Sequence, residues 1–238
     1  MNELIRKLTP RIELLIVLII GFGLFIYSST RGFFIVNSNY DKTWTYKLTS
    51  QGHFLIVIYE TIALLAILYI LKIRNWKVSD FNLEFTFKMI WVAILLILIR
   101  NIITNMGYKL FELINVVDKS SIQHVKFALE SNWISISLII VINSVYEEFL
   151  LIGYFFKRLE KYHPAVVIGL SMLIRLSYHT YQGWMSLFSI IPVGLVFGYY
   201  YFKYKKLWPV IIAHGLLNLI VCLSMHFHWF DKLPKLKF

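Results

Sequence analysis

Cysteine is almost missing from this chain: Cys222 is the only one in 238 residues. A lone cysteine excludes an intramolecular disulfide, a Cys-rich zinc site and a lipoprotein-type anchor, and it reads as a packed apolar residue. Charge is scarce as well, at 16% of residues, and acidic charge scarcer still, with 13 Asp and Glu against 24 Lys and Arg. Tandem repeats, linkers and the HExxH zinc signature are absent. Apolar residues fill the gap, at 58% of the chain with a mean hydropathy of +0.67. A soluble domain holds about 45–50%, so the composition points to an integral membrane protein.

The apolar residues gather in blocks of bilayer length, roughly 20 residues each. Seven segments run over about 13–30, 53–72, 87–106, 132–156, 164–181, 184–202 and 207–226. The expected fold is an all-α, polytopic transmembrane bundle of about seven helices, with an eighth possible. The sixth boundary, at "TYQGW" (180–184), is the loosest. Residues 1–130 read as N-terminal helices with long outer loops, 131–226 as a helical core and 227–238 as a short tail, all in one bundle. The run from Leu14 follows Arg6, Lys7 and Arg11 and lacks a small-residue cleavage site, so it reads as a retained signal anchor.

The net charge of +11 sits mainly in short connectors, where it sets topology. Nucleic acid is excluded as a partner, because lipid-facing helices offer it no basic groove. Thirteen Lys and Arg fall on one side of the seven segments and nine on the other. This bias favours a multi-pass protein of the cell membrane with a cytoplasmic N-terminus. The connector "RNWKVSDFNLEF" (74–85) reads as an amphipathic stretch with its aromatics in the membrane interface.

Several ionisable groups fall inside these segments: Glu60, Arg100, Glu147, Glu148, Arg175, His179 and His214, accompanied by Asn143 and Asn218. A charge at the bilayer centre costs about 2.5–3.5 kcal/mol on insertion scales, so such groups face the bundle interior and pair. Glu60 and Arg100 read as residues near helix ends, with Glu60 either bonded to a neighbouring tyrosine or lining the same cavity or the substrate path. The pair Glu147–Glu148 does not. Adjacent helical residues point about 100° apart, so one carboxylate can enter a cavity while the other meets a partner. A carboxylate in low dielectric holds a proton more readily, which suits a general base. His214 and Asn218, at i and i+4, share a face and can aim two donors at a developing oxyanion.

The stretches "EEFLLIG" (147–153), "RLSYH" ending in His179, and "HGLLN" with His214 and Asn218 together resemble the CAAX-protease and bacteriocin-processing (CPBP, formerly Abi) family of intramembrane endopeptidases. The likeness covers about residues 130–222. It implies that Glu147 and His179 activate a water, that Glu148 helps hold the site, and that His214 and Asn218 stabilise the oxyanion. The partners it implies are a peptide or membrane-protein substrate and lipid. It implies no cofactor; the alternative is zinc on Glu147, His179 and His214.

Two motif positions depart from the family. The motif arginine is expected at 152, where this chain has Ile152, and a phenylalanine at 175, where it has Arg175. Arg175 and His179 are i, i+4, so Arg175 can supply the missing cation, most simply to Glu148. Two readings stay open: a relocated ion pair in a working protease, or a decayed site in a non-catalytic scaffold, regulator or bacteriocin-immunity protein. A small transporter, built on a proton relay, leaves the HxxxN unexplained. Depth adds a tension. At 1.5 Å per residue Glu147 lies about 15 Å from the inner side, His214 about 10 Å and His179 about 22 Å, so the fifth helix must tilt or sink for them to meet.

Overall fold

The structure, a computed structural model, describes residues 2–38, 45–114, 126–183 and 187–227. The expected tail beyond Phe227, Trp184 of the loosest loop and residues 115–125 of an outer connector lie outside the described residues. Among the described residues the chain is a bundle of helices. A short helix α1 (Asn2–Arg6) precedes α2 (Pro10–Leu18) and α3 (Leu24–Ser38), which a π-helical turn at Ile19–Gly23 joins into one rod. After β1 (Thr45–Thr49) come α4 (Ser50–Ile73) and α5 (Lys88–Ile114), then β2 (Lys126–Glu130). A second rod, α6 (Trp133–Glu148) and α7 (Phe155–Arg158), is joined by a π-turn at Phe149–Tyr154. The chain closes with α8 (Pro164–Ser177), α9 (Leu187–Tyr204) and α10 (Trp208–His226).

The helices start where side chains can satisfy their first backbone N–H groups. Thr9 Oγ1 accepts from Ile12 N, Thr49 Oγ1 from Gly52 N and Asn132 Oδ1 from Ser135 N. Five helical rods are long and apolar enough to cross a membrane: Pro10–Ile35, Ser50–Ile73, Lys88–Phe111, Trp133–Arg158 and Trp208–His226. Large apolar side chains such as Leu65, Trp91 and Ile102 stand exposed on them. This is a membrane protein. The fifth predicted segment is shorter than expected, because its helix stops at Ser177. Its 14 residues reach about 21 Å, against a hydrocarbon core of about 30 Å.

π-turns widen a helix and leave carbonyls without their usual donor. In the first rod two tyrosines supply that donor: Tyr59 Oη bonds Ile20 O at 2.6 Å and Tyr146 Oη bonds Gly21 O at 2.7 Å. The rod is thereby fastened to α4 and α6.

The two long connectors are not purely loop. β1 and β2 pair in parallel, Thr45 opposite Lys126 through Thr49 opposite Glu130, which gives backbone polar groups partners that a coil lacks. Ser131 Oγ donates to Leu48 O and Asn132 N to Ser50 Oγ, tying the ribbon to the starts of α4 and α6. Tyr46 and Phe127 pack on Tyr181, at the turn after α8.

At the opposite end, the buried carboxylate of Glu13 gathers four donors. Arg74 Nε lies 2.8 Å away, Tyr154 Oη 3.0 Å, Trp76 Nε1 3.2 Å, and Arg158 Nη2 also bonds it. The interfacial role expected for the 74–85 connector is therefore half wrong. Trp76 stacks on Phe81, and Phe81 is buried against Phe149, because the wide π-turn of the second rod leaves a pocket there. Phe85, by contrast, stays exposed.

Candidate active site

Glu147 and Glu148 end α6, facing α8 and α10 in the bundle interior, and both are buried. The divergence of adjacent helical residues is spanned by one guanidinium. Arg175, buried on α8, places Nη2 at 2.8 and 2.9 Å from the two oxygens of Glu148 and Nη1 at 3.3 Å from Glu147 Oε2. Ile152 is wholly buried and apolar in the π-turn. The cation nearest the diglutamate thus comes from the neighbouring helix.

The two carboxylates have different company. Glu148 Oε1 also meets His214 Nδ1 at 2.6 Å. An ionised carboxylate only accepts, so the proton of this contact belongs on Nδ1, and Nε2 is left to face elsewhere. Gly215 allows the approach: a Cβ there would come within 3.3 Å of Ser144 Oγ on α6. Glu147 Oε2 takes Tyr178 Oη at 2.5 Å besides Arg175, while Oε1 takes a single donor among the described residues, Asn143 Nδ2 at 3.1 Å. Of the diglutamate's four oxygens, Glu147 Oε1 is the one bonded by a neutral amide alone rather than by a guanidinium, which makes it the one best placed to accept a further proton.

Asn218 sits one turn beyond His214, half-buried, and donates from Nδ2 to Asn143 Oδ1 at 3.4 Å. His179 lies where the depth estimate failed. It follows the C-terminus of α8 and precedes a 3-10 turn at Thr180–Gln182, so a short hairpin and not a sunken helix carries it. Its ring packs on Tyr178, centroids 4.6 Å apart, with Nδ1 3.5 Å from Gln182 Nε2. It is half-buried at the rim of the carboxylate cluster.

Glu60 and Arg100 correct their sequence readings. Glu60 is in the middle of α4, wholly buried, and its partner is Asn143 Nδ2 at 2.7 Å rather than a tyrosine. Arg100 does not simply snorkel: Nη2 reaches Ser189 O at 3.3 Å, in the turn of α9 before Pro192, where proline disrupts the helical ladder. Tyr178 was missed entirely. Its only signal is adjacency to His179, and nothing in a sequence says that a helix ends between them.

The residues that come within metal-chelating range are Glu147, Glu148 and His214, with ligand atoms inside 4.8 Å of one another. The zinc set expected from the sequence had His179 in place of Glu148. The donor chemistry fits a divalent cation poorly, because Arg175 already sits between the carboxylates and a guanidinium there competes with any metal charge.

Residues 129–220 match the family model described as type II CAAX prenyl endopeptidase Rce1-like. That stretch is similar to the core of the CPBP family. The matched stretch holds Glu147, Glu148, Arg175, His179, His214 and Asn218, and it omits Glu60. UPF0177 protein YbdI of Lactococcus lactis subsp. lactis (strain IL1403) is 24% identical over 165 residues, covering 67% of this chain and 89% of that protein. No solved structure matches. The likeness is to membrane proteases of CAAX type.

Proposed function

We propose that this chain is an intramembrane endopeptidase of the glutamate type, cleaving membrane-associated or small peptide substrates. Glu147 Oε1 takes a proton from a water, assisted by His179 at the rim. The water oxygen attacks the scissile carbonyl carbon, and the carbonyl π electrons move onto its oxygen. His214, through Nε2–H of an imidazolium that Glu148 stabilises, and the second amide hydrogen of Asn218 hold that oxyanion. The C–N bond then breaks, and the proton held by Glu147 passes to the leaving amine. Arg175 bridges Glu147 and Glu148 and holds the two carboxylates side by side. The reaction needs no metal, because the site's fixed cation is a guanidinium. The N-terminus lies in the cytoplasm, a placement that a phosphatase fused to Met1 checks by remaining inactive.

The observation that carries this reading is the Arg175 bridge to both carboxylates, which supplies the charge absent at Ile152. Decay that removed one of these groups would leave its partners unpaired at several kcal/mol each (about 3–5 when a pair is broken), and here all three buried charges stay in register. His179 at the rim is the feature that favours a non-catalytic scaffold, regulator or immunity protein.

Full-length protein in lipid nanodiscs, given internally quenched peptides with and without a farnesylated CAAX end, tests the proposal. Cleavage that survives chelation and falls at least about a hundredfold in Glu147→Ala and His214→Ala is expected, in line with loss of a general base or an oxyanion donor. Variants as active as the wild type, or a wild type that cleaves neither peptide class, select the scaffold reading.

A further inference from the structure

Glu60 belongs to the N-terminal half, outside the matched residues 129–220, yet it is joined to Glu147 through one side chain. Asn143 Nδ2 donates one hydrogen to Glu60 Oε1 at 2.7 Å and the other to Glu147 Oε1 at 3.1 Å. Its Oδ1 accepts from Asn218 at 3.4 Å. Chemistry fixes this rotation of the amide: reversed, it would press a carbonyl oxygen against two carboxylates.

Helix–helix adhesion does not account for a carboxylate at this place. Neutral Ser, Asn or Gln serves as interhelical glue in a membrane at far lower desolvation cost. Among the described residues Glu60 has no ion-pair partner to repay that cost, since Arg175 bonds Glu147 and Glu148. Its Oε2 finds no hydrogen-bond partner among the described residues. Buried polar atoms kept at such expense are the mark of a functional site.

We propose that Glu60 is a positioning residue of the peptidase site. By accepting one Asn143 hydrogen it locks the amide, so that the other hydrogen stays on the Glu147 oxygen that receives the water's proton, and Oδ1 holds Asn218 in line for the oxyanion. The assignment rests on the peptidase reading above. The site is then built from both halves of the chain, with α4 supporting α6 and α10.

The test compares Glu60→Met, which keeps the shape and removes the acceptor, with Glu60→Gln, which keeps an acceptor. The readouts are kcat and KM on whichever quenched peptide the wild type cleaves, together with the melting temperature in nanodiscs. Glu60→Met is expected to lower kcat about tenfold to a hundredfold with KM within twofold, and Glu60→Gln to retain at least about a third of kcat. Glu60→Met combined with Asn143→Ala should lose no more than Asn143→Ala alone. A Met variant with wild-type kcat and a lowered melting temperature shows a structural role only and overturns the proposal. So does a Gln variant as slow as the Met variant. Should Glu60→Met fail to fold, Glu60→Ala and Glu60→Gln give the same comparison. If Glu147→Ala is inactive while Glu60 variants match the wild type, the Glu60 assignment alone fails. If the wild type cleaves neither peptide, both readings fail together.

Discussion

Arg175 and Glu148 form the central pair of this protein, one guanidinium nitrogen lying 2.8 and 2.9 Å from the two carboxylate oxygens on the next helix. Both side chains are excluded from solvent, so the pair is sustained by geometry and by the further bonds to Glu147 and His214. Pairs of this kind are tolerated when complete and costly when halved.

Removing Arg175 should therefore be severe. Arg175→Phe is expected to destabilise the protein by about 3–5 kcal/mol and to abolish cleavage, because two carboxylates are left facing each other. Adding Ile152→Arg should restore part of both, since residue 152 lies about one turn beyond Glu148 and the space of Arg175 is then partly open. Melting temperature and peptide cleavage of the single and double variants decide it. A double variant no better than Arg175→Phe means that position 152 does not reach the diglutamate.

Tyr178 offers a finer test of how Glu147 is held. Its hydroxyl donates to Glu147 Oε2 at 2.5 Å, and a hydrogen bond to an ionised group is worth about 1.5–3 kcal/mol. Tyr178→Phe should lower kcat roughly tenfold or more, at 1.4 kcal/mol per tenfold, while the ring keeps its stack on Phe22 and the fold. An unchanged kcat would show that Arg175 and Asn143 orient Glu147 without it.

The far end of the bundle depends on one carboxylate. Glu13 is buried and bonded by Arg74 and Arg158, whose side chains are 16% and 18% exposed. Glu13→Ala strands two guanidiniums and removes the first rod's ion pairs to the end of α4 and to α7. A loss of about 3–5 kcal/mol is expected, read as an early cleavage of the N-terminal segment by added protease in nanodiscs. Protection equal to the wild type would show that the tyrosine bonds to Ile20 and Gly21 hold the rod by themselves.

Much of the bundle could be read from the chain in advance. Blocks of apolar residues near bilayer length fall where the helices are, because hydrocarbon forces every backbone group to bond within its own segment. Motif order likewise marked Glu147, Glu148, His179, His214 and Asn218 as a group. Errors concentrate where local pattern carries no information. The end of α8 at Ser177 gave no polar signal, since "LSYHTY" is as acceptable in a helix as in a turn. The strands were hidden because their partner lies about eighty residues away. Asn143 was visible as a polar residue at depth, but its two carboxylate acceptors come from different helices.

By itself, then, the sequence determined that this chain is a helical membrane protein and which side chains are too polar for lipid, because hydrophobic transfer and backbone satisfaction act residue by residue. Only the tertiary structure decided which of those side chains meet. Arg175 bridges Glu147 and Glu148, Glu148 takes His214, and Glu60 shares Asn143 with Glu147. Those pairings depend on where a π-turn widens one rod, where α8 stops and how closely Gly215 lets α10 approach, all of which are settled by packing between helices rather than within them.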